Sequence, residues 1–384
     1  MCLCISRGWR DHVDKRIVIT VNMAWNLANF RSGLIQALQR SGYKVIALAP
    51  ADAHVSRLNV LGCEFVHIPM DNKGTNPIRD LFLLARYFRV LRRLRPFALL
   101  GFTIKPNVYG SIAANIIGIP VINNIAGLGT TFLRGGWLNK VARTLYGVAL
   151  ARSRKVFFQN PEDRDLFVSL GLVKTGQTEL LPGSGVDVER FSPSAPRSIV
   201  GRPFRFLLVA RLLWDKGVGE YVAAVRLLRE NGYQIDAQLL GFVDSNNPSA
   251  ISREQVQAWE NEGVVNYLGV ADDVRPFLDE ADCVVLPSYR EGAPRALLEA
   301  ACMAKPVITT DAPGCRNVMI PEQTGFMVPV RDAQALFDAM KRMIVLPECD
   351  RFAMGSAGRD FVMANYDERL VLSAYVRALE ELSR

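Results

Sequence analysis

The chain runs to 384 residues, 49% of them apolar and 22% charged, with a formal net charge of +8. Such a balance excludes a disordered or disulfide-stapled chain and fits about two globular domains, and no apolar run approaches the ~20 residues that cross a bilayer. The charge is uneven: residues 1–192 carry 25 Lys and Arg against 12 Asp and Glu, the remainder 21 against 26, an asymmetry that points the first half alone at an anionic surface or nucleic acid.

Residues 1–14, MCLCISRGWRDHVD, lack an apolar h-region and read as an extension ahead of the first strand, not a signal peptide. Seven cysteines, an odd number without paired spacing, read as thiols of a reducing cytoplasm. With only His12, His54 and His67 available, no histidine-based metal site is expected.

From residue 15, strands and helices alternate. Arg16–Val21, Lys44–Ala49, Glu64–Ile68, Phe97–Phe102, Pro120–Ile125 and Lys155–Gln159 are predicted strands, and a first helix is predicted over Asn29–Ser41, stopped at Gly42. This is the pattern of a doubly wound parallel sheet, in which ligands gather at the carboxyl ends of the strands. The loops there, Asn22 to Asn26, Thr103 to Asn107 and Ala126 to Thr131, make Trp25, Asn26, Lys105 and Asn107 candidate pocket residues. Each has a plain structural reading beside it. Trp25 and Asn26 are placed to cap the first helix, Lys105-Pro106-Asn107 to start one, and Gly127-x-Gly129 is too short for a dinucleotide fingerprint.

Residues 79–96 are the most basic segment. Leu81, Leu84, Ala85, Phe88 and Leu91 fall at helical spacing and predict a core-facing stripe, while Arg79, Arg86, Arg89 and Arg93 share another face. Five arginines follow Asp80 without an acid. Their face is either solvated or a contact for an anionic bilayer, to which each arginine brings on the order of 1 kcal/mol. Arg134, Trp137, Lys140 and Arg143 form a second basic, aromatic patch.

Pro182, Pro193, Pro196 and Pro203, with three glycines between 183 and 201, signal a linker. A second series of strands then starts at Phe204–Ala210, with Arg211, Lys216 and Gly217 at its carboxyl end, and continues through Ala237–Phe242 and Val264–Leu268. The densest signal is DCVVLPSYREGAPRALLEAACMAKPVITTDAPG, residues 282–314. A buried strand, Cys283–Leu286, is followed by a polar loop, by Pro294 in the first turn of a helix reaching Met303, and by a second strand, Val307–Thr310. The start of that helix offers free N–H groups and the positive end of the macrodipole, a seat for a phosphate. Glu291 in the loop and Glu299 on the helix flank this seat with carboxylates that accept from sugar hydroxyls. Phosphate and sugar together suggest a sugar nucleotide.

The string E-G-A-P-R-A-L-L-E, with V-L-P-S before it and K-P-V-I-T-T-D-A-P-G-C-R after it, resembles the signature of the retaining glycosyltransferases of family 4. These have the GT-B fold, α/β, with two Rossmann-like doubly wound parallel-sheet domains facing a central cleft. G-V-D-x-x-R-F at 185–191 resembles the family's domain crossover. The resemblance implies that Arg211 and Lys216 hold the donor's diphosphate, that Glu299 accepts from the ribose and that Glu291 accepts from the transferred sugar. Gly217, Gly292, Ala293 and Pro294 would line the donor site, and the loop near Gly241 with the Tyr267–Val270 edge would hold the base. It also implies retention without a covalent intermediate, a metal or a cofactor.

The first-half loops depart from the family's usual paired glycines and histidine, reading N-M-A-W-N-L-A-N-F-R and F-T-I-K-P-N-V-Y-G. They resemble those of a bacterial subgroup extending sugars on polyprenyl-diphosphate carriers, including N-acetylgalactosaminyltransferases acting on undecaprenyl-diphosphate-linked sugars. The family commonly has Gly where Ala304 stands, a modest expected perturbation. The expected domains are an extension (1–14), an acceptor domain (15–187), a linker (188–203), a nucleotide-sugar domain (204–367) and a final helix (368–384) that in GT-B proteins often crosses back. The expected partners are a nucleoside diphosphate sugar, a polyprenyl-diphosphate-linked or other glycan acceptor, and the anionic inner face of the plasma membrane through Arg79, Arg86, Arg89 and Arg93, with no nucleic acid. A GT-B sugar-nucleotide epimerase, a transferase with a soluble acceptor and a non-catalytic basic binding protein stay open.

Overall fold

The computed structural model describes residues 15–71, 76–127, 137–194, 201–243, 247 and 249–383. The extension 1–14, the end of the Ala126–Thr131 loop, Arg134 with the Trp137 side chain, and the middle of the linker lie outside them. The chain divides into two units, one of residues 1–181 and 372–384, the other of residues 182–371.

In the first unit, β1 (Arg16–Thr20), β2 (Lys44–Ala49), β3 (Glu64–His67), β4 (Ala98–Phe102), β5 (Val121–Ile125), β6 (Lys155–Phe158) and β7 (Thr178–Leu180) form a parallel sheet in the order 3-2-1-4-5-6-7. Its helices are α1 (Ala24–Phe30), α2 (Ser32–Arg40), α3 (Val55–Val60), α4 (Pro77–Leu94), α5 (Ser111–Ile117), α6 (Trp137–Leu150) and α7 (Pro161–Ser169). β4 and β5 are buried along their whole length, as strands covered on both faces must be.

The second unit repeats the winding. β8 (Phe204–Val209), β9 (Ile235–Leu240), β10 (Asn266–Tyr267), β11 (Cys283–Leu286), β12 (Val307–Thr310) and β13 (Gly325–Val328) pair in the order 10-9-8-11-12-13, all parallel. Around them run α8 (Val218–Glu230), α9 (Arg253–Asn261), α10 (Arg275–Glu280), α11 (Arg295–Cys302), α12 (Ala333–Val345) and α13 (Glu348–Asn365). The last helix, α14 (Glu368–Glu381), begins in the second unit and belongs to the first from Leu372 onward. Among the described residues no helix is long and apolar enough to cross a membrane.

The doubly wound parallel sheets match the sequence expectation, and three local readings are corrected. The first helix begins at Ala24, so Trp25 and Asn26 lie in its opening turn, and Arg31 (φ −133°) breaks the run into α1 and α2. Strands β7 and β13 go unread in the sequence because runs of three or four residues carry too little periodicity. The stripe on α4 is only partly right: Leu91 is buried and Leu84 and Phe88 pack half-buried against the core, but Leu81 and Ala85 are exposed. The helix's buried residues are Leu83, Tyr87, Leu91 and Leu94, packed against the sheet with the Tyr87 hydroxyl 2.8 Å from the Thr20 hydroxyl, whereas Leu81 is 67% exposed.

Candidate active site

A doubly wound sheet leaves a crevice where its strand order reverses. In the second unit that point lies between β8 and β11, and the loops leaving their carboxyl ends carry Arg211 to Gly217 and Pro287 to Pro294. Gly217 is what lets the two loops meet. Its φ is +71°, and a Cβ there would lie 2.1 Å from the Pro287 carbonyl oxygen. The Tyr289 amide completes the contact by donating to the Asp215 carbonyl at 3.0 Å.

This approach sets the Lys216 ammonium directly on Glu291 Oε1, both side chains being mostly buried. The Ser288 hydroxyl donates to the same oxygen at 2.7 Å, and Thr310 at the end of β12 donates to the Ser288 carbonyl. The Glu291 amide donates to the Pro313 carbonyl at 3.0 Å. Gly314, at φ +82°, leaves room for the Glu291 backbone, since a Cβ there would stand 2.3 Å from the Glu291 carbonyl oxygen. The carboxylate is therefore held by a strand end, a turn and a neighbouring loop together. Arg211 stays exposed at the end of β8, with no ion pair among the described residues.

Gly292 and Ala293 lead into α11, which opens at Arg295 with Pro294 as its cap, one position earlier than the first-turn proline expected from sequence. Glu299 lies on that helix, 8% exposed. Burial raises its carboxyl above the ordinary value, against the pull of Arg295, which donates to it, and of Arg190. Gly241 follows β9. Its carbonyl accepts the Tyr267 hydroxyl at 2.9 Å and its amide donates to Gly269 at 2.8 Å, so the Gly241 turn and the Tyr267 edge are one unit.

Sequence reasoning overlooked several neighbours. Ser288 stands in the quoted V-L-P-S without a role, and Arg190 stands in G-V-D-x-x-R-F. The Tyr289 hydroxyl donates to Glu220 on α8 at 2.6 Å while the Arg331 guanidinium stacks 4.6 Å above its ring. Burial, helped by Glu220, pushes the Tyr289 phenol up to about 12. No spacing signal links residues 220, 289 and 331; only the fold brings them together. Among the described residues no group of three His, Cys, Asp or Glu side chains is set to hold a metal ion.

The first-unit candidates are more dispersed. The Trp25 amide donates to Asp52 at 2.8 Å, and its ring meets Phe30 edge-on at 5.0 Å. Asn26 is half-buried, its amide turned to the Met23 carbonyl. Lys105 is paired with Asp80 at 2.6 Å, and Tyr109 donates to the other oxygen of that carboxylate at 2.9 Å. Asn107 is fully buried. It donates to the Asn124 carbonyl at 2.8 Å and accepts from Asn123 at 2.9 Å, in a network that Ser111 and Ser153 extend. Both amide atoms of Asn107 are engaged, and the network ties β5 to the segment that opens α5 and to the turn before β6.

Comparison with known proteins places this geometry in context. Residues 203–345 match the family described as glycosyl transferases group 1, and residues 28–184 match the glycosyl transferase 4-like domain. Of curated proteins, N,N'-diacetylbacillosaminyl-diphospho-undecaprenol alpha-1,3-N-acetylgalactosaminyltransferase of Campylobacter jejuni is 25% identical over 93% of this chain and 96% of its own length. The UDP-Gal:alpha-D-GlcNAc-diphosphoundecaprenol alpha-1,3-galactosyltransferase of Escherichia coli is 23% identical over 72% of this chain and 73% of its own. Of solved structures, Anabaena HepE in complex with UDP and glucose superposes with a TM-score of 0.79, at 18% identity, covering 96% of this chain and all of that one.

Proposed function

Because this chain belongs to the glycosyl transferases, group 1 and 4-like, over most of its length, we propose that it moves a sugar from a nucleoside diphosphate sugar, a UDP-sugar first of all, to a polyprenyl-diphosphate-linked glycan in bacterial polysaccharide assembly. The reaction retains anomeric configuration and uses no metal. The names of the Campylobacter and Escherichia relatives support the acceptor class, and the donor follows the second of them and the UDP beside HepE. The observation that carries the reading is the Lys216–Glu291 pair, its lysine on the loop that the exposed Arg211 opens, at the point where the second sheet's order reverses.

Cleaving the anomeric C–O bond leaves negative charge on the β-phosphate, and cations fixed beside it stabilise the transition state. Arg211 and Lys216 supply that charge. In the free protein Glu291 neutralises Lys216, and an arriving diphosphate competes for the ammonium, leaving Glu291 to accept from a hydroxyl of the transferred sugar. Glu299 accepts from the ribose, and the Gly241–Tyr267 unit faces the base. The acceptor hydroxyl attacks from the leaving-group side and gives its proton to the departing phosphate, so no covalent enzyme intermediate forms. The arginine face of Arg79, Arg86, Arg89 and Arg93 holds the first unit at the anionic surface that carries the acceptor.

Incubating the purified chain in EDTA with a panel of UDP-sugars and a short-chain polyprenyl-diphosphate sugar tests this reading. UDP release that depends on the acceptor, and a product bond with the donor's anomeric configuration by NMR, are expected. Arg211→Ala and Lys216→Ala should each lower kcat/KM by about 10²–10³-fold. Near wild-type kinetics in both variants would sink the site assignment.

A further inference from the structure

The phase of α4 leaves large apolar side chains in water. Ile78 is 67% exposed, Leu81 67% and Phe82 61%, and Ile116 on the adjoining α5 is 64% exposed. Between α4 and α5 runs an open groove of about 520 Å³ whose apolar lining is Leu81, Leu84, Ala85, Phe88 and Ile116. Arg89 and Arg92 line the same groove. The outward face of α4 is thus apolar over its first two turns, Arg79 apart, and basic from Arg86 onward, where Arg86, Arg89, Arg92 and Arg93 are all exposed. Isolated exposed hydrophobics are ordinary, but a contiguous patch edged by charge marks a contact surface.

The charges on this face are not internally balanced. Arg79 pairs with Asp71 at 3.1 Å and Arg86 donates to the Pro69 carbonyl at 3.0 Å. Asp80, the acid within α4, is taken by Lys105 and Tyr109. Arg89, Arg92 and Arg93 have no ion pair among the described residues. A helix with apolar residues along one length and arginines along the next suits the boundary between acyl chains and phosphate headgroups. A soluble glycan or an acidic peptide satisfies the arginines and leaves the groove wet.

We infer that α4 and the groove beside it insert into the acyl region of an anionic bilayer, with Ile78, Leu81, Phe82 and Ile116 below the phosphate level and Arg89, Arg92 and Arg93 at it. This rests on the membrane reading above and goes beyond it. Attraction of arginines alone is long-range and screened by salt, whereas burial of apolar surface is not.

Flotation of the full chain with phosphatidylglycerol–phosphatidylcholine vesicles, at low and at high salt, separates the two. Wild type should bind at low salt and keep a measurable fraction bound at high salt. The double variant Leu81→Gln, Phe82→Gln should lose on the order of tenfold or more at both, with its melting temperature unchanged because both side chains are exposed. Arg89→Gln with Arg92→Gln should weaken binding chiefly at low salt. A Phe82→Trp variant should show added fluorescence that brominated acyl chains quench. If the Leu81/Phe82 variant binds like wild type while the arginine variant is weakened, insertion is overturned and the electrostatic reading stands. If wild type floats with no vesicle, both are overturned.

Discussion

At the scale of single residues, the two glutamates of the E-G-A-P-R-A-L-L-E string differ in what holds them. Glu291 is fixed by a cation and a hydroxyl, Lys216 and Ser288. Glu299 is buried on a helix face, and burial outweighs Arg295 in setting its proton affinity. Because its folded-state pKa is raised, its contribution to stability is fully present below the ordinary value of 4.5 and is lost as the pH rises through the folded one. Glu299→Gln imitates the protonated acid. Its melting temperature is expected to match wild type near pH 4 and to exceed it near pH 7.5, with Arg295, itself partly exposed, turning to water. On the proposed donor-site reading, the same change is expected to weaken UDP binding about tenfold, since a neutral acceptor would replace a charged one at the ribose. Calorimetric melts and titrations with UDP check both. A variant destabilised equally at both pH values would show that Arg295, not burial, governs this carboxyl.

At the scale of elements, α11 and the turn after it show what the sequence could and could not disclose. The strand–loop–helix–strand order of residues 282–310 was legible because buried strands are continuous apolar runs and a proline marks the helix start. The helix's end was harder. The Ala304 amide donates to Ala301 and the Lys305 amide to Ala300, at 2.9 and 3.0 Å, a Schellman closure with Ala304 at φ +55°. A left-handed alanine costs about 1–2 kcal/mol, which gives a physical reason for the glycine common at this position. Ala304→Gly is expected to stabilise the protein by about 0.5–1 kcal/mol after the extra freedom of the unfolded glycine is subtracted, read as a shift in denaturant midpoint at unchanged slope. The phase of α4 was only partly legible, because Leu, Phe and Ala occupy both its faces and the partner that sorts them is the sheet. The asparagine network around Asn107 was equally hidden, since N-N in β5 looks polar in sequence and is buried only once β4 and β6 flank it.

At the scale of the whole molecule, the chain's last helix ties together residues that no local pattern relates. Glu368 at its start donates its amide to the Val186 carbonyl at 3.0 Å, within the second unit. Four residues on, the helix belongs to the first unit. There Tyr375 is fully buried, its ring 4.9 Å from Phe157 and 5.8 Å from Phe102, its hydroxyl accepting from Asn124 at 2.9 Å. Arg377 pairs with Glu179 of β7. The first unit's core is therefore incomplete until the final residues are in place. Removing the Tyr375 ring leaves a cavity among aromatic neighbours that cannot collapse onto it, so Tyr375→Ala should cost about 3–5 kcal/mol. Tyr375→Phe keeps the ring and loses only the bond to Asn124, about 1 kcal/mol. The loss should be local. In hydrogen exchange, amides of β4, β5 and β6 are expected to lose protection in the alanine variant while those of β8, β11 and β12 keep theirs. Equal loss in both sheets would mean that the two units unfold as one, and that α14 joins their stabilities as well as their chains.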